Sequence, residues 1–155
     1  MEPDASQLAQ WMEIALEEAR AAPAHGDVPI GAVVVHLPSA RVVAQRHNER
    51  ERDNDPTAHA EILAMRDAAG TNGGWRLADH ALVVTIEPCP MCAGAAWAAR
   101  VPLLVFGAAD PRAGAAGSLY NFAVDPRLNH AAQVKGGIRG EEAAELLQRF
   151  FDERR

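Results

Sequence analysis

The sequence predicts an α/β fold, and three features of its 155 residues predict it. Two β-rich runs, 28–35 and 41–47, flank a four-residue turn, which is the pattern of a hairpin. An apolar run at 81–86, a small-residue helical stretch at 91–100 and a second apolar run at 103–107 follow one another as strand, helix and strand. That order is a βαβ unit, whose two strands lie parallel. Helical stretches at both ends, 5–22 and 141–154, supply apolar faces to cover a sheet.

Each element has its own local reason. Leu8, Trp11, Met12, Ala15 and Ala19 recur at helical spacing, with Glu13 and Glu17 on another face. Pro23 and Gly26 break that helix. Leu37-Pro38-Ser39-Ala40 turns the first strand into the second. A polar loop at 48–54 leads to Asp55-Pro56-Thr57, which read as helix-start residues, with Asp55 or Thr57 as cap and Pro56 in the first turn. The helix expected there, 58–69, offers Ile62, Leu63 and Met65 to the core, and Thr71-Asn72-Gly73-Gly74 ends it. Residues 81–86 are apolar almost throughout, as in a strand buried on both faces. Pro88 and Pro90 end that strand and open the next helix. A Gly/Ala-rich loop at 107–117, a short helix at 118–122 and an edge strand at 133–137 precede the last helix. Its apolar positions are Ala144, Leu146, Leu147, Phe150 and Phe151. No repeat, low-complexity tract or linker interrupts the chain, so one domain over residues 1–155 is expected.

Composition narrows the class. Hydrophobic residues make up 48% and charged residues 23%, ordinary values for a soluble globular chain. The start, Met1-Glu2-Pro3-Asp4, is acidic and does not read as a signal peptide. The most apolar region, 93–109, contains Arg100 and Pro102, which argues against a membrane span. The only two cysteines stand at i and i+3, a spacing that fits a reducing cytoplasm and a metal or redox role. The net charge is −6, but residues 1–20 carry −4 of it. From Asp110 onward seven acids balance seven bases. Total charge therefore neither supports nor excludes RNA; a local basic surface decides.

Two motifs carry the chemistry. Thr57-Ala58-His59-Ala60-Glu61 supplies an imidazole and a carboxylate, and Pro88-Cys89-Pro90-Met91-Cys92 supplies two thiols. His59, Cys89 and Cys92 are three good zinc ligands, and no third cysteine exists to close the site. A structural zinc site takes four protein ligands, whereas a catalytic one keeps a position open for water. The count thus points to a zinc-activated water with Glu61 beside it as proton carrier. Helix N-termini at both motifs favour thiolate. Alone, each motif has a plainer reading: His-x-Glu is common, and Cys-x-x-Cys also describes a thiol redox pair. Together, His-x-Glu and Pro-Cys-x-x-Cys match a signature already recorded for zinc nucleobase deaminases. His25, His36, His47 and His80 read as loop or strand-end residues, mostly solvated, and His130 as a loop anchor.

Longer stretches carry a closer likeness. Asp55-Pro56-Thr57-Ala58-His59-Ala60-Glu61-Ile62 and Glu87-Pro88-Cys89-Pro90-Met91-Cys92-Ala93-Gly94-Ala95 resemble the bacterial tRNA-specific adenosine deaminases, of the cytidine and deoxycytidylate deaminase superfamily. So do Val105-Phe106-Gly107-Ala108, Asp110, Gly114-Ala115-Ala116-Gly117-Ser118-Leu119, Asn129-His130, Phe150-Phe151 and Arg154-Arg155. The resemblance implies a three-layer α/β/α cytidine-deaminase-like sandwich with a five-stranded mixed sheet and zinc between two helices. It implies hydrolysis of the wobble adenosine of a tRNA anticodon to inosine, with His59, Cys89 and Cys92 holding one zinc per subunit and Glu61 moving protons. Asn48 would hydrogen-bond the flipped base, and Ile30, Ala60 and Ile86 would line its pocket. Asp110, Phe150, Phe151 and Arg155 would meet the anticodon nucleotides. Arg112, Arg139, Arg149, Arg154 and Arg155 remain as phosphate contacts. A cytoplasmic homodimer with no membrane association is also implied. The alternatives are a deaminase of a free base or nucleoside, of guanine or cytosine type; a non-catalytic zinc-bearing RNA-binding subunit; and a thiol redox protein.

Overall fold

Five strands of the computed structural model, which describes residues 2–154, form one sheet: β1 (Gly31–His36), β2 (Arg41–His47), β3 (His80–Ile86), β4 (Leu103–Ala108) and β5 (Gln133–Lys135). Their order is β2-β1-β3-β4-β5. β1 runs antiparallel to β2 and β3, while β3, β4 and β5 run parallel. The expected hairpin and βαβ unit are both present, and joining them edge to edge makes the sheet mixed. The helices are α1 (Ala5–Ala21), the single-turn α2 (Arg50–Asp53), α3 (Ala60–Asn72), α4 (Pro90–Ala98) and α5 (Gly140–Asp152). A 3-10 turn, Ala22–His25, extends α1.

Strand alternation sorts the core into two layers. Val33, Val35, Ala81, Val83, Leu103 and Val105 face Leu8, Met12 and Leu16 of α1 and Ala143 of α5. Ala32, Val34, Leu82, Val84, Leu104 and Phe106 face Ala60, Ala64, Met65 and Ala68 of α3 and Ala96 of α4. Met12, Leu16 and Leu82 are fully buried, each worth about 1.5–3 kcal/mol of transfer free energy. The result is the α/β/α sandwich expected, with both chemical motifs on the α3–α4 side.

Local differences have local causes. α1 begins with a capping box: Asp4 accepts the Gln7 N–H at 2.8 Å, and Gln7 accepts the Asp4 N–H at 3.0 Å. β1 starts three residues later than the β-rich run, since Pro29 brings no N–H to a ladder. α3 begins at Ala60, and neither Asp55 nor Thr57 caps it. Asp55 instead accepts the Thr57 N–H and hydroxyl at 2.8 and 2.7 Å, closing a turn that precedes the helix. The helix expected at 118–122 does not form. Ala116 and Asn121 make an isolated antiparallel bridge, and the Gly117 N–H bonds the Tyr120 carbonyl at 2.8 Å. Gly117 sits at φ +135°, a conformation no helix uses. β5 stops at Lys135 because Gly136 and Gly137 follow, the latter at φ +81°.

Candidate active site

His59 is the residue before α3 and Cys89 the residue before α4, so both side chains stand at the positive end of a helix dipole. Cys92 lies one turn into α4 and is buried. The three donor atoms lie within 4.8 Å of one another. His59 Nδ1 is 3.7 Å from Cys89 Sγ and 3.5 Å from Cys92 Sγ. Zn–S and Zn–N bonds of about 2.3 and 2.0 Å at tetrahedral angles put nitrogen and sulfur about 3.5 Å apart. The donor set therefore fits a zinc ion by both chemistry and spacing. The Cys89 thiol is pulled down to about 4 by the hydrogen bond from Cys92, and His59 acts in the same direction. The same bond, with burial, pushes Cys92 up.

Glu61 points into the same buried space, 4% exposed. Burial pushes its carboxyl up to about 7, against the pull of its own backbone N–H and of His59. A carboxyl poised there both takes and gives a proton at neutral pH. The start of α3 is capped from a distance: Asn48 Oδ1 accepts the Ala60 N–H at 2.8 Å. That bond fixes which way the amide points, so Nδ2 faces away from the helix and has no partner among the described residues. It also leaves His59 free of capping duty.

A network behind Asn48 is not legible in any motif. His47 Nδ1 donates to Glu18 at 2.8 Å, His25 Nδ1 donates to Asp27 at 2.7 Å, and the two Nε2 atoms meet at 3.0 Å. Asp27 also accepts the Glu51 and Arg52 N–H groups at 3.0 and 3.3 Å. His25 and His47 are therefore paired and partly buried, not solvated loop residues. His80 is buried too. His130 does anchor a loop, donating from Nε2 to the Val101 carbonyl at 2.8 Å.

The remaining predicted residues come from both layers of the sandwich. Ile86 and Ala60 are buried and Ile30 half-buried. Asp110, in the loop after β4, accepts the Arg112 and Ala113 N–H groups at 3.0 and 3.2 Å. Phe150 is 6% exposed and Phe151 46%, so one packs and the other faces solvent. Phe150 lines an open groove with Arg20 and Arg149, and the Arg154 guanidinium lies 3.6 Å above its ring. Arg139 is not a free phosphate contact, because it pairs with Glu13 and Glu142 and joins α5 to α1. Arg155 lies outside the described residues.

Residues 5–108 match the family model for the cytidine and deoxycytidylate deaminase zinc-binding region. The chain belongs to this deaminase family. It is an enzyme of that family, and zinc is its cofactor. A tRNA-specific adenosine deaminase of Bacillus subtilis is 45% identical over 145 residues, which are 94% of this chain and 89% of its own. A structure solved in studies of A-to-I editing by tRNA:A34 deaminases at the wobble position of transfer RNA superposes with a TM-score of 0.84. It is 45% identical and covers 89% of this chain and 99% of its own. A guanine deaminase of Nitrosomonas europaea shares the fold, with a TM-score of 0.79 at 24% identity over 97% of this chain and 93% of its own.

Proposed function

We propose that this enzyme hydrolyses the wobble adenosine of a tRNA anticodon loop to inosine and releases ammonia. The observation that carries the chemistry is the buried Glu61 carboxyl beside the His59, Cys89 and Cys92 donors. Likeness to tRNA-specific adenosine deaminases over 94% of the chain supports the substrate.

His59, Cys89 and Cys92 hold the zinc. When bound, zinc supplies Lewis acidity that makes a hydroxide-like nucleophile available near neutral pH. Glu61 takes the proton from the attacking water and gives it to purine N1 as oxygen bonds to C6. A second transfer through Glu61 protonates the exocyclic amine, the C–N bond breaks, and the C6 carbonyl forms. Adenosine and one water thus become inosine and ammonia. The Asn48 amide nitrogen donates to the base, and Ile30, Ala60 and Ile86 wall the pocket. Asp110 and Arg112 meet the anticodon strand on one side. Phe150, Phe151, Arg154 and Arg155 meet it on the other, by stacking and charge. An anticodon loop is already single-stranded, so extruding its base costs less than from a duplex.

Two further parts belong to the same proposal. Two copies pair, supported by exposed Met91, Leu119, Tyr120 and Val124 on α4 and the loop after β4. The enzyme works in the cytoplasm, where Cys89 and Cys92 stay reduced; among the described residues no helix is long and apolar enough to cross a membrane. The deciding assay incubates the zinc-loaded enzyme with an anticodon stem-loop bearing a wobble adenosine, and separately with free adenosine, cytidine and guanine. Inosine in the stem-loop alone supports the proposal. Turnover of guanine or cytidine beside an inert stem-loop sinks it.

A further inference from the structure

Glu87 stands between β3 and the Pro88-Cys89 step, two residues from a zinc ligand, yet the chemistry above gives it nothing to do. It is 3% exposed and, among the described residues, forms no ion pair. Its carboxylate is satisfied by one loop. Oε1 accepts the Asp110 N–H at 3.0 Å and the Ser118 hydroxyl. Oε2 accepts the Ala116 N–H and the Ser118 N–H, both at 3.0 Å. Next to it, the Pro88 carbonyl accepts the Ala115 N–H at 2.8 Å. Four donors fill the roughly four lone-pair positions of a carboxylate. Glu87 is therefore neither a zinc ligand nor a second proton carrier, since no lone pair is left for either task.

The glycine in the loop is explained by the same carboxylate. A Cβ at Gly114 would lie 2.3 Å from the Glu87 carboxyl carbon and 2.4 Å from both oxygens. Only a residue without a side chain lets the loop close around the charge. The first part of the closed segment carries the residues proposed to meet the RNA. Asp110 begins it, with its side chain turned onto Arg112 and Ala113, and Ser118 ends it beside exposed Leu119 and Tyr120. Arg112 is exposed on its outer side.

We infer that Glu87 is a positioning residue: its buried carboxylate holds the 110–118 loop in the shape that receives the RNA, and ties that shape to the zinc-binding turn. The inference rests on the function proposed above, because it assigns Asp110 and Arg112 to the anticodon strand. A loop folded around a fixed anion before the RNA arrives carries no ordering cost at binding. The loss of Glu87 then falls on binding of the stem-loop, not on the chemical step.

The test is steady-state kinetics on the anticodon stem-loop with Glu87→Gln, Gly114→Ala and Ser118→Ala, with bound zinc measured for each. Glu87→Gln keeps the shape but turns an NH2 towards N–H donors, and Gly114→Ala displaces an intact carboxylate from the other side. The expected result is a KM about ten- to a hundredfold higher for both, with kcat and zinc content within about twofold of the unmodified enzyme. Ser118→Ala, which loses one donor of four, raises KM less. Unchanged KM in Glu87→Gln and Gly114→Ala, or a fall in kcat at unchanged KM, overturns the inference. Loss of zinc from Glu87→Gln with Gly114→Ala behaving as the unmodified enzyme also overturns it, since Glu87 then serves the metal. If Glu87→Gln does not fold, KM of the other two variants decides by the same criterion. An unmodified enzyme inert on the stem-loop is a different failure, that of the proposed function.

Discussion

Asp27 is a buried carboxylate that, among the described residues, pairs with His25 and with no arginine or lysine. Burial would push its pKa up, but the Glu51 and Arg52 N–H groups and His25 outweigh that and hold it below the ordinary aspartate value. The sign follows: the unfolded chain binds the proton first as pH falls. Asp27 thus contributes its full stability above about pH 4, and the contribution is lost as pH drops through the lower folded value. Asp27→Asn is expected to cost about 1–3 kcal/mol at pH 7, by leaving a backbone N–H and a histidine poorly matched. Urea titrations from neutral to acid pH check it, with a flatter acid limb in the variant. An identical limb in both proteins would assign the acid sensitivity elsewhere. The histidine pair beyond Asp27 explains why this charge matters to the site. His47 is bonded to His25 and immediately precedes Asn48, so the network holds the strand end that carries the Asn48 amide.

At the scale of elements, α3 shows how the site is assembled across the chain. Its first amide is capped by Asn48, which is twelve residues away, and its last turn closes on Gly73 at φ +75°. Asn48 therefore has two roles that substitutions separate. Asn48→Asp keeps the accepting oxygen and loses the amide donor: it is expected to hold the stability of the native protein and to lose most of its activity. Asn48→Ala loses both, costing about 1 kcal/mol as removed N-caps commonly do. Thermal melts beside stem-loop kinetics distinguish them; equal activity in the two native-like folds, Asn48→Asp and unmodified, would remove the base-reading role. This division also marks what a sequence discloses. The hairpin, the βαβ unit and the three zinc donors were legible because periodicity and close spacing are local. The cap of α3 is not legible in the same way: Asp55 and Thr57 satisfy the local pattern, and a remote amide cannot be seen in it. Residues 107–117 read locally as a Gly/Ala-rich loop and 118–122 as a helix. The loop's shape comes from the Glu87 carboxylate, twenty-three residues before Asp110, and no spacing rule connects them.

The whole molecule resolves the question of charge. A net −6 with an acidic first helix looks unsuited to RNA. Part of that acidity is paired within the protein: Glu13 meets Arg20 and Arg139, and Glu18 meets His47. Arg112, Arg149 and Arg154 stay at the surface, and Phe151 is exposed near the last two of them. The sandwich places both helix N-termini of the zinc site on one side of the sheet, with α1 and its acids on the other face. The central claim is that Glu61 moves protons for adenosine hydrolysis and does not hold the metal. The direct measurement is the rate of inosine formation at the wobble position of an anticodon stem-loop, for the unmodified enzyme and for Glu61→Gln, with zinc quantified in both. The account predicts equal zinc and a rate about 10²–10⁴-fold lower, or more, in the variant, as for loss of a general acid–base. Inosine formed at the same rate by Glu61→Gln, or zinc lost from it, would contradict the account.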